Sequence, residues 1–328
     1  MTGSLRHALL LGQGRSGTNY LLALLNQSPY THCRNEPDEL EDSSLRQLTP
    51  FRFFVDDPEE LDRRYDAAIR GAALTVGPRD HIVRPGKAWL YPGSCRPGFF
   101  YLRNRYRLVH RILRQDLPMW GRERPFPRWM TSTPRLEKAF HVFKLNAAVG
   151  IAGWVFEHRR EVKAVHIVRH PGGFAKSWLK RWVGIEMNRD PARARENERV
   201  ARARLADLAA RDATWARRLG DVLAMDPIEM ELWWWRFCGE RTWEAGHGRP
   251  GYHRVIYEEL TEDPVAVARG VYEFCGLPWD DWLASRVASI SSSSREIAAA
   301  WKDELDAAVV RTIERVLEGS PLAAWWGA

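Results

Sequence analysis

Residues 7–25, His-Ala-Leu-Leu-Leu-Gly-Gln-Gly-Arg-Ser-Gly-Thr-Asn-Tyr-Leu-Leu-Ala-Leu-Leu, decide how the rest of the chain is read. His7–Leu11 is a short apolar run without alternation, the pattern of a strand buried on both faces. From about Thr18 to Asn26, Leu21, Leu24 and Leu25 recur at helical spacing, with Pro29 beyond the end. Between the two lies Gly12-Gln13-Gly14-Arg15-Ser16-Gly17-Thr18. Its glycines let backbone N–H groups turn toward an anion beside the positive end of the helix, so the loop reads as a phosphate cradle.

The loop's skeleton resembles the GxxxxGK[ST] nucleotide loop, but Thr18 stands where that motif's lysine would reach the β and γ phosphates. The cation here is Arg15, inside the loop. No predicted strand ends in an aspartate suited to hold magnesium, as phosphoryl transfer in such folds usually requires. The loop is therefore expected to bind phosphate with no metal required, which weighs against a nucleotide kinase without removing it.

Three further apolar runs read as strands: His141–Lys144, Val162–Val168 and Arg254–Tyr257. A helix opens at Pro171 with Phe174, Trp178 and Leu179, and another follows Tyr257 and ends at Gly276, with Pro278 beyond. Strands alternating with helices predict an α/β fold around a parallel sheet. The stripe Trp301, Leu305, Ala308, Val309, Ile313, Val316 and Leu317 predicts a last helix covering one sheet face, and Ser291–Ser294 reads as a loop.

With 328 residues, 45% of them apolar, the chain fits one large domain. Its 49 basic against 42 acidic residues give +7, which suits an anionic ligand, nucleic acid or membrane phosphate alike and selects none of them. Cys33, Cys95, Cys238 and Cys275 lack any paired spacing, so reduced thiols and a cytoplasmic location are expected. The apolar run Ala8–Leu11 is too short for a signal peptide or a membrane span.

A second anion site follows another strand. In His166-Ile167-Val168-Arg169-His170-Pro171, Arg169 stands at the carboxyl end where open α/β sheets bind ligands, and Ser177 follows it by eight residues in the next helix. An arginine fork with a serine hydroxyl suits a phosphate monoester. Two such sites imply a nucleotide phosphorylated at both ends.

GQGRSGT, then IVRHPGGFAKSW, then VIYEELTEDPVAVARGVYEFCGLPW resemble the sulfotransferases that use 3′-phosphoadenosine 5′-phosphosulfate (PAPS). The likeness covers Arg6–Pro37, Phe140–Trp182 and Tyr252–Trp279. It implies a three-layer, P-loop NTPase-like sulfotransferase fold with a central parallel sheet, as a single domain over 1–328. A helical insertion at roughly Arg189–His247 would form part of the acceptor wall. The resemblance assigns Arg15, Ser16, Gly17, Thr18 and Asn19 to the 5′-phosphosulfate, with Tyr20 against the adenine. Arg169 and Ser177 take the 3′-phosphate, Tyr257 lies near the adenine edge, and Arg295 helps at the 3′-phosphate. Adenosine 3′,5′-bisphosphate is the implied product.

Many small-molecule members place a histidine two residues after a lysine on the strand corresponding to His141–Lys144, but here Leu145 and Asn146 follow Lys144. Glu36 lies 21 residues after Arg15, as in the tyrosylprotein and some bacterial glycan sulfotransferases that this chain resembles in using a glutamate. Glu36 is thus the expected base, Arg15 the charge on the leaving phosphate and Lys144 an electrostatic helper. The expected acceptor carries a hydroxyl, on a glycan, a natural product or a phenol.

Nine arginines in Arg189–Leu219 read as a solvated helix rather than a nucleic-acid arm, so no nucleic-acid partner is expected. Arg96–Arg128 interleaves nine arginines with aromatics and is a candidate acceptor surface. Trp233-Trp234-Trp235 reads mainly as core. A noncatalytic basic module for nucleic acid or lipid stays as the reading from another class, and the oligomeric state stays open.

Overall fold

The computed structural model describes residues 5–39, 45, 58–74, 136–146, 148–182, 187, 190–291 and 294–326. Five strands, β1 (His7–Gly12), β2 (Thr31–Asn35), β3 (Phe140–Asn146), β4 (Lys163–Val168) and β5 (Tyr252–Ile256), form one sheet in the order β2-β3-β1-β4-β5. All pairs are parallel, with Gly12 opposite Asn146, Asn35 opposite Lys144 and Val168 opposite Ile256. The carboxyl ends of β1 to β4 therefore share one edge, where crevice ligands of such sheets sit.

Alternate residues of each strand feed opposite layers. Ala8, Leu10, Val142, Val165 and Ile167 pack with leucines of α1 (Thr18–Leu25). Leu9, Leu11, Phe143, Leu145 and Ala164 face the other way, onto α2 (Pro58–Ala73) and α3 (Val149–His158). Because both faces are covered, the strands carry continuous apolar runs rather than alternating ones. The result is the three-layer α/β arrangement expected from the sequence.

After β4 come α4 (Pro171–Arg181), α5 (Pro191–Arg211), α6 (Ala213–Leu219) and α7 (Pro227–Gly246). Beyond β5 follow α8 (Tyr257–Glu262), α9 (Pro264–Cys275), whose αL cap is Gly276, and α10 (Asp281–Ser289). The chain then continues through α11 (Ser294–Ala299), α12 (Trp301–Glu304) and α13 (Ala307–Leu317). Helix α5 is a solvated helix: only Ala194, Ala201, Leu205 and Leu208 are buried, and Arg199 and Arg211 pair with acids on the exposed side. Trp233, Trp234 and Trp235 are all buried in a cluster with residues of α5, α6 and α13.

Two features depart from the sequence reading. The final apolar stripe does not form one helix covering the sheet. It breaks at Leu305, Asp306 caps α13 by accepting from the Ala308 N–H at 2.7 Å, and Ile313 and Val316 join the α7 cluster instead. Strand β2 was not expected, because Thr31, His32 and Arg34 look like loop residues, yet all three are buried. Partners from other parts of the chain make this burial possible: Arg34 donates to the Ala72 carbonyl, and Thr31 donates to the Leu25 carbonyl at 2.8 Å. The Arg96–Arg128 stretch and Cys95 lie outside the described residues.

Burial of histidine gives the fold an acid limit. His141 Nε2–H donates to the Leu136 carbonyl at 2.8 Å, so its Nδ1 accepts from His32 across 3.2 Å, and the His141 ring is neutral in this arrangement. His166 lies against the Tyr252 hydroxyl at 2.9 Å. Burial pushes both His141 and His166 down to about 3. Unfolded histidines bind protons from about pH 6.5 downward, so the stability these neutral rings carry is fully present above that value and is lost as pH falls toward 3. Urea unfolding at about pH 5 should show roughly 2 kcal/mol less stability per buried histidine than at about pH 8, and a His166→Phe variant should show a shallower acid slope.

Candidate functional site

The turn from β1 into α1 leaves no room for side chains on its floor. A Cβ at Gly12 would stand 2.7 Å from the Ile167 carbonyl oxygen, and one at Gly17 would enter the Tyr257 ring. Gly17 has φ 89° and Arg15 φ 73°, both left-handed, so the loop doubles back on itself. Helix α1 starts at Gly17 without a side-chain cap, leaving its first N–H groups to whatever sits above the loop. The buried Ser16 hydroxyl has no hydrogen-bond partner, a donor suited to an incoming anionic oxygen. The rings of Tyr20 and Tyr257 meet edge to face at 6.4 Å beside it.

Arg169, 6% exposed at the end of β4, donates from Nη1 to the Arg15 carbonyl at 3.3 Å, and its guanidinium lies 4.5 Å over the Tyr257 ring. A side chain at Gly173 would collide with that guanidinium, so this glycine opens its path. Ser177, expected to share the 3′-phosphate with Arg169, is in contact with the loop. Arg15 itself holds Ser177, donating from Nε to the hydroxyl at 3.1 Å and from Nη2 to the carbonyl at 3.4 Å. Arg15 lies below the usual guanidinium range first through burial and then through the like charges of Arg181 and Arg169. Three guanidiniums kept this close form a setting for anions. Arg181 was missed by the sequence reading, although it follows Ser177 by one helical turn on the same face.

The adjoining edge was also missed. His170 caps α4, its Nδ1 accepting from the Gly172 N–H at 3.0 Å, and its ring stacks on Trp301 at 4.2 Å. Glu258 accepts from the His170 backbone N–H and from Trp326 Nε1, both at 3.1 Å. Burial, then Lys302 and Arg169, lower His170 to about 4, which keeps its capping nitrogen unprotonated. These contacts join residues far apart in the chain, and nothing local in the sequence announces them. Arg295 falls in α11 by its backbone, and its side chain lies outside the described residues.

On the opposite side of the loop, β2 and β3 bring the other expected residues together. Lys144, 1% exposed, donates from Nζ to Asn19 Oδ1 and Asn35 Oδ1 at 2.9 Å each and to Glu36 Oε1 at 2.5 Å. Asn146 also donates to Glu36 Oε1, while its own Oδ1 is buried without a partner. Glu36 leaves β2 with φ 52°, a left-handed turn that a non-glycine residue adopts at some cost. The Lys144 ammonium and the Asn146 amide together fix one oxygen of this carboxylate in place. The parallel register places Asn35 beside Lys144, so Glu36, one residue on, meets Lys144 and Asn146 of that strand.

A family model described as the sulfotransferase family matches residues 8–281. No curated protein is significantly similar to the chain. Among solved structures, the sulfotransferase domain of the Synechococcus PCC 7002 olefin synthase is 14% identical, with 97% of each chain covered and a TM-score of 0.42. The sulfotransferase domain from the curacin biosynthetic pathway is 13% identical over 97% of this chain and 98% of its own, with a TM-score of 0.45. Mouse sulfotransferase SULT7A1, complexed with PAP, is 12% identical over 96% of this chain and 84% of its own, with a TM-score of 0.42. The family model runs from the first strand to the start of α10 and so takes in the glycine loop, the Arg169 strand and the Glu36–Lys144 pair: the chain belongs to the sulfotransferase family.

Proposed function

We propose that the chain transfers a sulfuryl group from PAPS to a hydroxyl of a glycan or small natural product and releases adenosine 3′,5′-bisphosphate. The observation that carries this reading is the meeting of two sets of groups at one sheet edge. Arg15, Arg169 and the unpartnered Ser16 hydroxyl form an anion cradle, and the Lys144-held Glu36 stands beside it. The cradle's backbone N–H groups and Arg15 bind the phosphosulfate end, with Ser16, Gly17, Thr18 and Asn19 around it. Arg169 with Ser177 and Arg295 holds the 3′-phosphate, and Tyr20 and Tyr257 flank the base.

Glu36 accepts the proton of the acceptor hydroxyl as that oxygen bonds to sulfur and the sulfur–oxygen bond to phosphate breaks. Arg15 and Lys144 stabilise the charge that develops on the leaving phosphate, so side chains supply this positive charge and no metal is required. Lys144 and Asn146 share Oε1 of Glu36, which fixes the carboxylate's orientation. The chain acts as one domain, with the helices of 189–247 forming part of the acceptor wall. The buried thiols of Cys33, Cys238 and Cys275 fit a reducing cytoplasm, and among the described residues no helix is long and apolar enough to cross a membrane.

Adenosine 3′,5′-bisphosphate at about 100 times its Kd should stabilise the protein by about 2.7 kcal/mol, seen as a rise in Tm, whereas ADP should give a much smaller shift. Equal shifts from the two nucleotides would remove the 3′-phosphate site. Arg169→Ala should weaken bisphosphate binding. Glu36→Gln should lower kcat by roughly 10²–10⁴-fold with bisphosphate affinity retained, and unchanged turnover would remove Glu36 as the base. Gly17→Ala, which forces a side chain into the Tyr257 ring at a positive φ, should cost about 1–3 kcal/mol in urea unfolding and weaken nucleotide binding.

A further inference from the structure

A cavity of about 280 Å³ opens directly beside the glycine loop. Gly14 and Arg15 form one wall, Trp178 and Arg181 of α4 a second, and residues of α5 and α7 the rest. Arg15 therefore faces both the anion cradle and this cavity. A second cavity, of about 430 Å³, lies against His170, Glu258 and Trp326.

Besides the guanidiniums of Arg15, Arg181 and Arg204, the lining is of two kinds. Trp178 and Trp182 stack on each other at 5.0 Å and, with Phe174, Val200 and Met230, offer flat apolar surface. Gln13, Asn197, Glu198 and Glu231 line the same cavity with amide and carboxylate oxygens. The two acids are anchored from within the protein, Glu198 by Arg202 at 2.9 Å and Glu231 by Arg204 at 3.1 Å, so they are held in place rather than waving in solvent. A purely apolar acceptor would strip water from these polar groups without replacing its hydrogen bonds, which is costly. A linear polar chain would leave the tryptophan surface unused. A pyranose ring meets both demands, since its C–H faces lie flat on aromatic rings while hydroxyls project around its rim. The volume sits at the small end of ligand pockets, which suits a single sugar unit better than a long oligosaccharide.

We propose that this cavity is the acceptor site and that its substrate class is a pyranoside, stacked on the Trp178–Trp182 surface with one hydroxyl reaching past Arg15, over the glycine loop, to Glu36 on its other side. The proposal rests on the donor reading above. It places the acceptor at the junction of the loop with α4, α5 and α7.

The test uses the full chain with PAPS and, as probes, the methyl pyranosides of glucose, galactose, mannose and xylose beside 2-naphthol. At least one pyranoside should be sulfated with kcat/KM about tenfold or more above 2-naphthol. Trp178→Ala should raise KM for that pyranoside about tenfold. Val200→Arg, at a position 50% exposed on the cavity lip where folding is not at stake, should do the same. In both variants the Kd for adenosine 3′,5′-bisphosphate should stay within about twofold of the parent value. Preference for 2-naphthol, sulfation of no pyranoside by a chain that binds the bisphosphate, or unchanged KM in both variants would each overturn the proposal. A chain that fails to bind the bisphosphate at all would bring down the donor reading, and this proposal with it.

Discussion

The turn between β1 and α1 is the constraint on which the rest depends. With Gly12 pressed against β4 and Gly17 beneath the Tyr257 ring, the backbone can close this turn only with glycine at both places. That closure points the start of α1 at the sheet edge and brings the loop within reach of Arg169 from β4. It also lets Tyr257, at the end of β5, act at once as a lid over the turn and as the surface on which Arg169 rests. Sheet order does the remaining work: β1 is central, so its loop has β3 with Lys144 on one side and β4 with Arg169 on the other.

The two sides of the loop solve opposite electrostatic problems. Toward β4, Arg15, Arg169 and Arg181 crowd like charges together, an arrangement that an anion would relieve. Toward β3, the buried ammonium of Lys144 is surrounded by three oxygens, from Asn19, Asn35 and Glu36. Burying that charge is tolerated only because its hydrogen-bonding capacity is filled.

The sequence made the parallel α/β plan legible because buried strands and the helices after them carry strong, local apolar signals. Arg15 and Arg169 were legible as candidates because one stands in the glycine loop and the other at a strand end, whereas Glu36 and Lys144 were legible only through the family resemblance, since β2 was not read as a strand. Strand β2 was hidden because its polar residues are satisfied by distant partners, as Arg34 is by Ala72. The break at Leu305 was hidden because Asp306 reads equally well as a polar residue within a helix and as a cap before one. The edge built from His170, Glu258, Trp301 and Trp326 arises from contacts between β4, α8 and the C-terminal helices, and residues so far apart share no readable spacing.

The bond from Arg15 to Ser177 joins two compartments. The Arg15 guanidinium grips helix α4 through the hydroxyl and the carbonyl of Ser177, one residue before the Trp178 wall of the neighbouring cavity. A shift of that side chain is carried into the helix, so the glycine loop and the cavity wall respond as linked parts.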